Sequence, residues 1–254
     1  MNKPQVCYVA FLDILGFANF VENNTSEFVL KYLSNFTTTN GVFASITPNI
    51  STSVLSDTIA LYTAVEDDAK KDLTNYINLL RCIGMLQYQS ITAPNLHGLP
   101  LRGAVTKGEF YSNNKDILFG KAWVDAFHLE RNKAIVPRVL VKKESNDFNY
   151  MLIQSTDSIS NIREAPLRQD IDGELHCNYL NNILDDNGKP LKDSSFVLSH
   201  KNSVIRNLYA TRTNIKIYQK YIWIKDYHNW FCAGYKELQN HHISDKDILK
   251  PQFN

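Results

Sequence analysis

The sequence predicts an α+β fold, with a ferredoxin-like βαββαβ core, added strands and a C-terminal helical extension. Three observations predict it. A dense apolar run of strand length covers residues 6–12. Two β-rich segments, residues 50–55 and 58–64, are separated only by Ser56 and Asp57, as in a tight hairpin. Segments with helical spacing of apolar residues lie on both sides of that hairpin, which gives the element order of a ferredoxin-like sheet.

The other elements of the core follow from the same patterns. Ser26 is expected to cap a helix that carries Val29, Leu30, Leu33 and Phe36 on one apolar face. The remaining predictions are a helix over residues 67–89, strands over 101–106, 109–111 and 117–119, a helix over 120–131 and a strand over 138–141.

Beyond residue 145 the periodicity weakens and Asp, Asn and Pro become frequent. We therefore divide the chain into a core, residues 1–144, and an extension, residues 145–254, that packs on the core as part of the same domain. The aromatic residues of the extension indicate a packing or dimer surface. Its expected elements are short strands over residues 150–154 and 175–179 and a helix over residues 197–224.

Composition excludes several classes of function. The 254 residues carry a net charge of +1, so no global field attracts nucleic acid or a membrane surface. The four cysteines are far apart, which argues against a zinc knuckle or a disulfide framework. No apolar run approaches the roughly 18 residues of a membrane span, and no signal peptide is recognisable. We expect a soluble, cytoplasmic protein.

Two aspartates stand where the predicted sheet joins separate parts of the chain. Asp13 follows the first strand, and Asp57 lies in the hairpin turn. In a βαββαβ sheet the first strand is central and antiparallel to the strand after the hairpin, so the end of one meets the start of the other. Adjacent strands are about 4.8 Å apart, and the two carboxylates can converge. Since converging carboxylates repel each other, a bound divalent cation is expected.

Oxygen ligands with open coordination positions favour Mg²⁺ or Mn²⁺ holding a polyphosphate. Free N–H groups at the start of the next helix are where a phosphate would dock. Together these features predict a two-metal clamp for phosphoryl chemistry, with two ions in each site. The expected metal ligands are Asp13, Ile14 and Asp57, and the expected phosphate-binding residues are Ile14, Leu15, Gly16 and Phe17.

At these positions the sequence resembles the class III nucleotidyl cyclases. Residues 11–17, FLDILGF, match the first metal motif of that family, and Ser56 and Asp57 match its Gly-Asp hairpin. The resemblance covers about residues 6–141. The further matches are Leu101, Arg102, Ala104 and Gly108 on the family's Leu-Arg-x-Gly-x-x-x-Gly strand, and Gly120, Ala126 and Leu129 on its following helix.

The departures from the family pattern concern the nucleobase and the transition state. Ser53 stands four residues before Asp57, where the purine cyclases carry a base-reading Lys. The transition-state Asn and Arg of those enzymes fall on Val124 and His128, and Val cannot donate a hydrogen bond. Residues 123–131 look like the bacterial pyrimidine cyclases of Pycsar anti-phage defence.

This resemblance implies a homodimer that converts UTP or CTP to the 3′,5′-cyclic monophosphate and pyrophosphate, with active sites shared between protomers. The product would act on a separate cyclic-nucleotide-binding effector. Ser53 would face the base. Because its hydroxyl both donates and accepts hydrogen bonds, it does not decide between UTP and CTP. We favour UTP, since uridylate cyclases are the commoner enzymes among the relatives. By position, the candidates for stabilising charge on the α-phosphate are Arg102, Lys121, His128 and Arg131.

Three alternatives stay open at this point. The chain resembles adenylate and guanylate cyclases as well, although the missing Lys counts against a purine substrate. A catalytically inactive cyclase-like domain that binds nucleotide or a partner protein would explain the missing Asn and Arg. A ferredoxin-like interaction domain in which Asp13 and Asp57 only cap turns is the third alternative.

Overall fold

A computed structural model describes residues 3–46, 49–92, 98–113, 117–143, 165–185, 187–191 and 193–249. The strands are β1 (Gln5–Ile14), β2 (Ser51–Leu55), β3 (Thr58–Ala64), β4 (Leu101–Ser112), β5 (Leu118–Phe119), β6 (Val139–Val141), β7 (Leu167–Gln169) and β8 (Leu175–Cys177). The α-helices are α1 (Phe17–Glu22), α2 (Ser26–Ile46), α3 (Ala69–Thr92), α4 (Lys121–Lys133), α5 (Ser195–Thr211), α6 (Ile215–Ala233) and α7 (Asp245–Leu249).

The strands form one mixed sheet in the order β2-β3-β1-β4-β6-β8-β7, with β5 paired to β4. The first four strands are antiparallel and follow the order of a ferredoxin-like βαββαβ sheet, with β1 between β3 and β4. The predicted α+β class, the added strands and the C-terminal helices are therefore confirmed. The hairpin between β2 and β3 turns at Ser56, a non-glycine residue with a left-handed φ of 57°.

Strand β4 differs from the prediction. Residues 101–106 and 109–111 were expected to be separate strands, but β4 runs without a break from Leu101 to Ser112. Its register explains this, because β1 pairs with it continuously from Gln5 opposite Phe110 to Ile14 opposite Leu101. Pairing along a long central strand therefore overrides the weak local signal of Lys107 and Gly108.

The two faces of the sheet are covered by different helices. The larger core packs α2 and α3 on the face that carries Leu12 and Ile14 of β1. Phe36 of α2 is buried there, whereas Leu30 is 68% exposed, so its predicted place on the same apolar face is wrong. The buried stripe of α2 is too narrow to include Leu30, which lies next to Val29 on the turn.

Helix α4 covers the opposite face, which we call the α4 face. Phe11 of β1 packs edge-on against Trp123 and Phe127 of α4, with ring centroids 5.0 and 5.5 Å apart. The Thr106 hydroxyl of β4 donates a hydrogen bond of 2.7 Å to the Ala122 carbonyl. These contacts fix the axis of α4 above β1 and β4 and thereby determine which of its side chains reach the strand ends.

The C-terminal part of the chain adds two strands and a second core. Strand β8 was expected near residues 175–179, but β7 was not predicted, and the strand predicted over residues 150–154 lies outside the described residues. The single helix expected over residues 197–224 is wrong, because α5 ends at Thr211 and α6 begins at Ile215. The break has a local cause: the Asn214 side chain caps α6 by accepting from the Ile217 N–H.

Helices α5 and α6 enclose an apolar cluster that also includes Ile91 of α3. Tyr227 lies at its centre and is 1% exposed. Its hydroxyl donates 2.6 Å to the Asn178 side-chain carbonyl and accepts 3.0 Å from the Leu180 N–H. The aromatic residues of this cluster therefore pack in a core, which is one of the two roles expected from the sequence.

A chain of buried hydrogen bonds crosses the same cluster. The Nε2 of His228 donates to the His241 carbonyl at 2.9 Å, so its Nδ1 accepts from Nδ1 of His200 at 3.0 Å. The Nε2 of His200 then accepts from the Tyr179 hydroxyl at 2.9 Å. This arrangement requires both imidazoles to be neutral.

Among the described helices, none combines the length and apolar character that crossing a bilayer requires.

Removing the Tyr227 hydroxyl tests the second core. Tyr227→Phe leaves the Asn178 carbonyl and the Leu180 N–H without their buried partner. We expect the free energy of unfolding, measured by urea denaturation, to fall by about 1–3 kcal/mol. Tyr209→Phe, at a more exposed position, is the control and should change it by less than about 0.5 kcal/mol. Equal effects of the two variants would contradict the assigned network.

The buried histidines predict acid sensitivity. Burial lowers the pKa of His228 and of His176 to about 4, and burial followed by the His228 charge lowers the pKa of His200 well below its ordinary value. The unfolded chain therefore binds more protons below about pH 6.5. The contribution of these neutral histidines to the free energy of unfolding is fully present above that pH. It falls as the pH drops toward 4, by about 1.4 kcal/mol per pH unit for each histidine. Urea denaturation at pH 7 and pH 5 measures this, and equal values at the two pH values would refute it.

Candidate active site

The end of β1 and the β2–β3 hairpin meet at one edge of the sheet. Asp13 is paired with Thr58, the residue that follows Asp57. The Ile14 N–H donates a hydrogen bond of 2.9 Å to the Asp57 carbonyl. Both aspartates are half-buried. The backbone therefore shows the predicted meeting of the end of β1 with the start of β3.

Asp57 has no hydrogen-bond or ion-pair partner for its carboxylate within the described part of the chain. The turn itself is held by the backbone, through the Ile14 N–H on the Asp57 carbonyl. The side chain is thus not needed to cap this turn, which is the role an isolated turn aspartate usually has. A half-buried carboxylate without a partner is a candidate ligand for a cation.

Asp13 meets a cation from the neighbouring strand. Arg102 is its cross-strand partner on β4, and the Arg102 Nε donates a hydrogen bond of 2.9 Å to Asp13 Oδ2. Gly103 allows the strands to approach here, because a Cβ at that position would lie 2.2 Å from the Phe11 carbonyl oxygen. The Arg102 Nη1 also reaches the Ala134 carbonyl at 3.4 Å.

A third carboxylate approaches the same guanidinium from α4. Glu130 Oε1 lies 2.7 Å from the Arg102 Nε, but the single Nε proton is directed at Asp13, so this buried oxygen has no hydrogen-bond partner. Glu130 is 3% exposed. Burial raises the pKa of Glu130, the Arg102 guanidinium lowers it and the Asp13 carboxylate raises it.

Lys220 of α6 lies in the field of the same groups. Burial and the Arg102 guanidinium lower the pKa of Lys220, while the Asp13 carboxylate raises it. The adjacent Tyr221 fixes this part of α6 by donating a hydrogen bond of 2.6 Å to the Gly98 carbonyl, just before β4. The C-terminal region therefore contributes a cation to the surroundings of Asp13.

Residues 14–17 were expected to bind phosphate through free N–H groups, and for two of them this expectation is wrong. The N–H of Ile14 donates to Asp57, and the N–H of Leu15 donates to the Pro100 carbonyl at 3.0 Å, so these two groups are not free. Among the described contacts, the N–H groups of Gly16 and Phe17 have no acceptor. Gly16 has a φ of 83°, a conformation that favours glycine, and this turn starts α1.

Ser53 shares a face of the sheet with Asp13. On β2 it pairs with Ala60 of β3, which in turn pairs with Phe11 of β1. Because alternate residues of a strand point to the same side, Phe11 and Asp13 both belong to the α4 face. Ser53 therefore lies two strands away from β1 on this face, and it is half-buried.

His128 lies elsewhere on α4. It is exposed and lines an open cleft of about 510 Å³ together with Asp125, Lys142 and other residues. Within the described chain, no hydrogen bond or ion pair joins His128 to Asp13 or Asp57. The fold of one protomer thus does not bring these predicted site residues into contact.

The other two basic candidates on α4 are also exposed. The Arg131 guanidinium lies over the Phe127 ring, 5.9 Å from its centroid. Lys121 forms an ion pair of 3.1 Å with Asp125, one helical turn along α4.

The donor set fits a divalent cation that takes one or two carboxylates from the protein and the rest of its ligands from elsewhere. Asp13 and Asp57 offer carboxylate oxygens, and the Asp57 carboxylate is without a partner in the described chain. Within those residues, no cluster of three or more His, Cys, Asp or Glu converges on one point, so no closed protein cage is present. Mg²⁺ commonly takes one or two carboxylates and completes its shell with phosphates and water.

Sequence reasoning missed two residues of this site. Glu130 carried a usable signal, since it continues the buried i, i+4 series of Ala122 and Ala126 on α4. A carboxylate in such a stripe is buried only with a partner. Lys220 carried no signal, because the effect of the Asp13 charge on its pKa depends on how α6 packs against the loop before β4.

No family model and no curated protein matches this chain. Its fold is similar to solved cyclase domains. The guanylyl cyclase domain of the RhoGC fusion protein from the aquatic fungus Blastocladiella emersonii is 14% identical, with a TM-score of 0.46, over 68% of this chain and 94% of that one.

The guanylate cyclase domain of RhGC from Catenaria anguillulae, in complex with GTP, is 12% identical with a TM-score of 0.46, over 69% of this chain and 96% of that one. The adenylyl cyclase CyaB from P. aeruginosa is 19% identical with a TM-score of 0.42, over 69% of this chain and 94% of that one.

Proposed function

We propose that this chain is a cytoplasmic pyrimidine nucleotidyl cyclase that converts UTP, or CTP, to the 3′,5′-cyclic monophosphate and pyrophosphate. The observation that supports it most is the meeting of Asp13 and the β2–β3 hairpin, with the Asp57 carboxylate half-buried and without a partner among the described residues. The resemblance of residues 11–17 and of the hairpin to the class III cyclases points to the same chemistry.

In the proposed reaction, the ribose 3′-oxygen forms a bond to the α-phosphorus while the bond from that phosphorus to the β-bridging oxygen breaks. Pyrophosphate leaves with the electron pair, and the 3′-hydroxyl proton passes to solvent. Two Mg²⁺ or Mn²⁺ ions, when bound, would lower the pKa of the 3′-hydroxyl and hold the triphosphate. Asp13, Asp57 and the Ile14 carbonyl would hold the ions, and the N–H groups of Gly16 and Phe17 would face a phosphate.

The exposed residues of α4 fit a site shared between two copies of the chain. Among the described contacts, His128 and Arg131 do not touch Asp13 of their own protomer, yet both are solvent-accessible basic residues of α4. Phe119 of β5 and Val124 of α4 are about half exposed, at 51% and 49%. In a homodimer, apolar residues of this kind would be covered while His128 and Arg131 reach the partner's α-phosphate.

The choice of base is proposed from Ser53. Its short, neutral side chain cannot provide the charge of the base-reading Lys of purine cyclases, and a hydroxyl suits the O4 and N3 edge of uracil or its cytosine counterpart. UTP is the proposed substrate and CTP the second choice. The cyclic product would serve as a second messenger in anti-phage defence of the Pycsar type, acting on a separate effector.

A catalytically inactive, nucleotide-binding or interaction domain is the second candidate. The hydrogen bond from Arg102 to Asp13 favours it, because it occupies one oxygen of a proposed metal ligand. The absence of a side-chain donor at Val124 favours it as well.

Turnover of the four ribonucleoside triphosphates separates these functions. The purified chain is incubated with each triphosphate and Mn²⁺, and the products are analysed by mass spectrometry. We expect cyclic UMP from UTP, with cyclic CMP as the lesser product, because Ser53 lacks the charge that reads a purine. Cyclic AMP or GMP alone would support a purine cyclase, and saturable binding with no product would support the inactive domain.

Substitution of Asp57 tests the metal site. Asp57→Ala removes a proposed ligand whose carboxylate has no structural partner in the described chain. We expect turnover to fall more than about 100-fold, while the free energy of unfolding changes by less than about 0.5 kcal/mol. Asp67→Ala, at an exposed aspartate of the loop after β3, is the matched control and should retain activity. Persisting turnover in Asp57→Ala would refute the assignment.

A further inference from the structure

One guanidinium lies between two carboxylates at the proposed site. The Arg102 Nε is 2.9 Å from Asp13 Oδ2 and 2.7 Å from Glu130 Oε1. Since Nε carries a single proton, it satisfies only one of them at a time, and here the proton is donated to Asp13. Glu130 Oε1 is left buried and without a hydrogen bond.

A buried carboxylate oxygen that lies beside a guanidinium without receiving its proton is costly, and a second state in which it accepts that proton removes the cost. A divalent cation on Asp13 provides such a state. The cation and the Arg102 guanidinium carry like charges, so each disfavours the other on Asp13 even though the guanidinium contacts only Oδ2. Glu130 Oε1 already lies within hydrogen-bond distance of the same Nε, so the guanidinium requires only a small rotation to transfer its proton contact.

We propose that Arg102 is an exchangeable counter-ion, which neutralises Asp13 when no cation is bound and transfers to Glu130 when one binds. Glu130 is then a positioning residue that makes Asp13 available. This inference rests on the proposed function only in requiring that Asp13 binds a divalent cation. In each state one carboxylate is neutralised by Arg102, and in the cation-bound state none of the three groups is left unpaired.

The geometry around Arg102 supports a transfer between two fixed acceptors. Glu130 is held in place by the buried stripe of α4, which includes Ala122 and Ala126. The Arg102 Nη1 reaches the carbonyl of Ala134, which directly follows α4. The Nη1 hydrogen bond thus holds the guanidinium near the end of α4 that carries Glu130, while the Nε hydrogen bond holds it to Asp13.

The test is a Mn²⁺ titration of the full chain without nucleotide, with free Mn²⁺ measured by electron paramagnetic resonance. Glu130→Gln removes the receiving charge, so Arg102 stays on Asp13 and Mn²⁺ affinity should fall about tenfold. The double variant R102M/E130Q removes the competing cation together with its receiver and should bind Mn²⁺ more tightly than the wild type, by about tenfold.

Glu174→Gln is the matched control, because Glu174 lies 2.7 Å from Lys133 in a similar Glu–cation contact away from Asp13. It should leave Mn²⁺ affinity unchanged. A purely structural role for Glu130 would lower the melting temperature of Glu130→Gln without changing its Mn²⁺ affinity. If Glu130→Gln does not fold, the double variant, which leaves no unpaired charge from this pair, carries the test.

The outcomes separate this inference from the proposed function. Unchanged Mn²⁺ affinity in the double variant, in a wild type that makes cyclic nucleotide, overturns the counter-ion exchange alone. The expected shifts in affinity without turnover of any triphosphate overturn the cyclase and leave the exchange standing. Absence of Mn²⁺ binding in the wild type overturns both.

Discussion

The site depends on the antiparallel pairing of β1 with β3 on one side and β4 on the other. That pairing puts Asp13 beside Thr58 and beside Arg102 in the same row of the sheet. The close approach at Gly103 keeps β4 near enough for a direct ion pair. The Ile14 N–H then bonds the Asp57 carbonyl, which holds the backbone of the hairpin turn beside the end of β1. The geometry of the candidate site is therefore a consequence of strand order and register.

Strand order was predictable because its signals are local. The apolar run before Asp13 and the two-residue turn at Ser56 and Asp57 each lie within a few residues, and the ferredoxin-like order follows from their sequence. Errors arose where a long-range contact decides the structure. Pairing with β1 keeps β4 continuous through Gly108, and the cap at Asn214 divides a pattern that reads as one helix.

The electrostatic partners of Asp13 could be predicted only in part. Arg102 was a candidate from its position in the strand motif, but its partners depend on which residue of β1 it faces. Glu130 and Lys220 come from α4 and α6, elements whose placement depends on the packing of Phe11 and of Tyr221. A sequence pattern reports which side of a helix is buried, whereas the group it meets is set by tertiary structure.

The engaged N–H groups of Ile14 and Leu15 change how a triphosphate would be held. Within residues 14–17, the described contacts leave only the N–H groups of Gly16 and Phe17 without an acceptor. Ahead of a helix of six residues, these two donors neutralise little of the charge on that ligand. Bound cations and nearby basic side chains would then have to supply most of the compensation. Lys220 is half-buried, and burial and the Arg102 charge lower its pKa while the Asp13 charge raises it, so α6 contributes to the electrostatics of the candidate site. The C-terminal helices are thus coupled to the strand ends by charge as well as by packing.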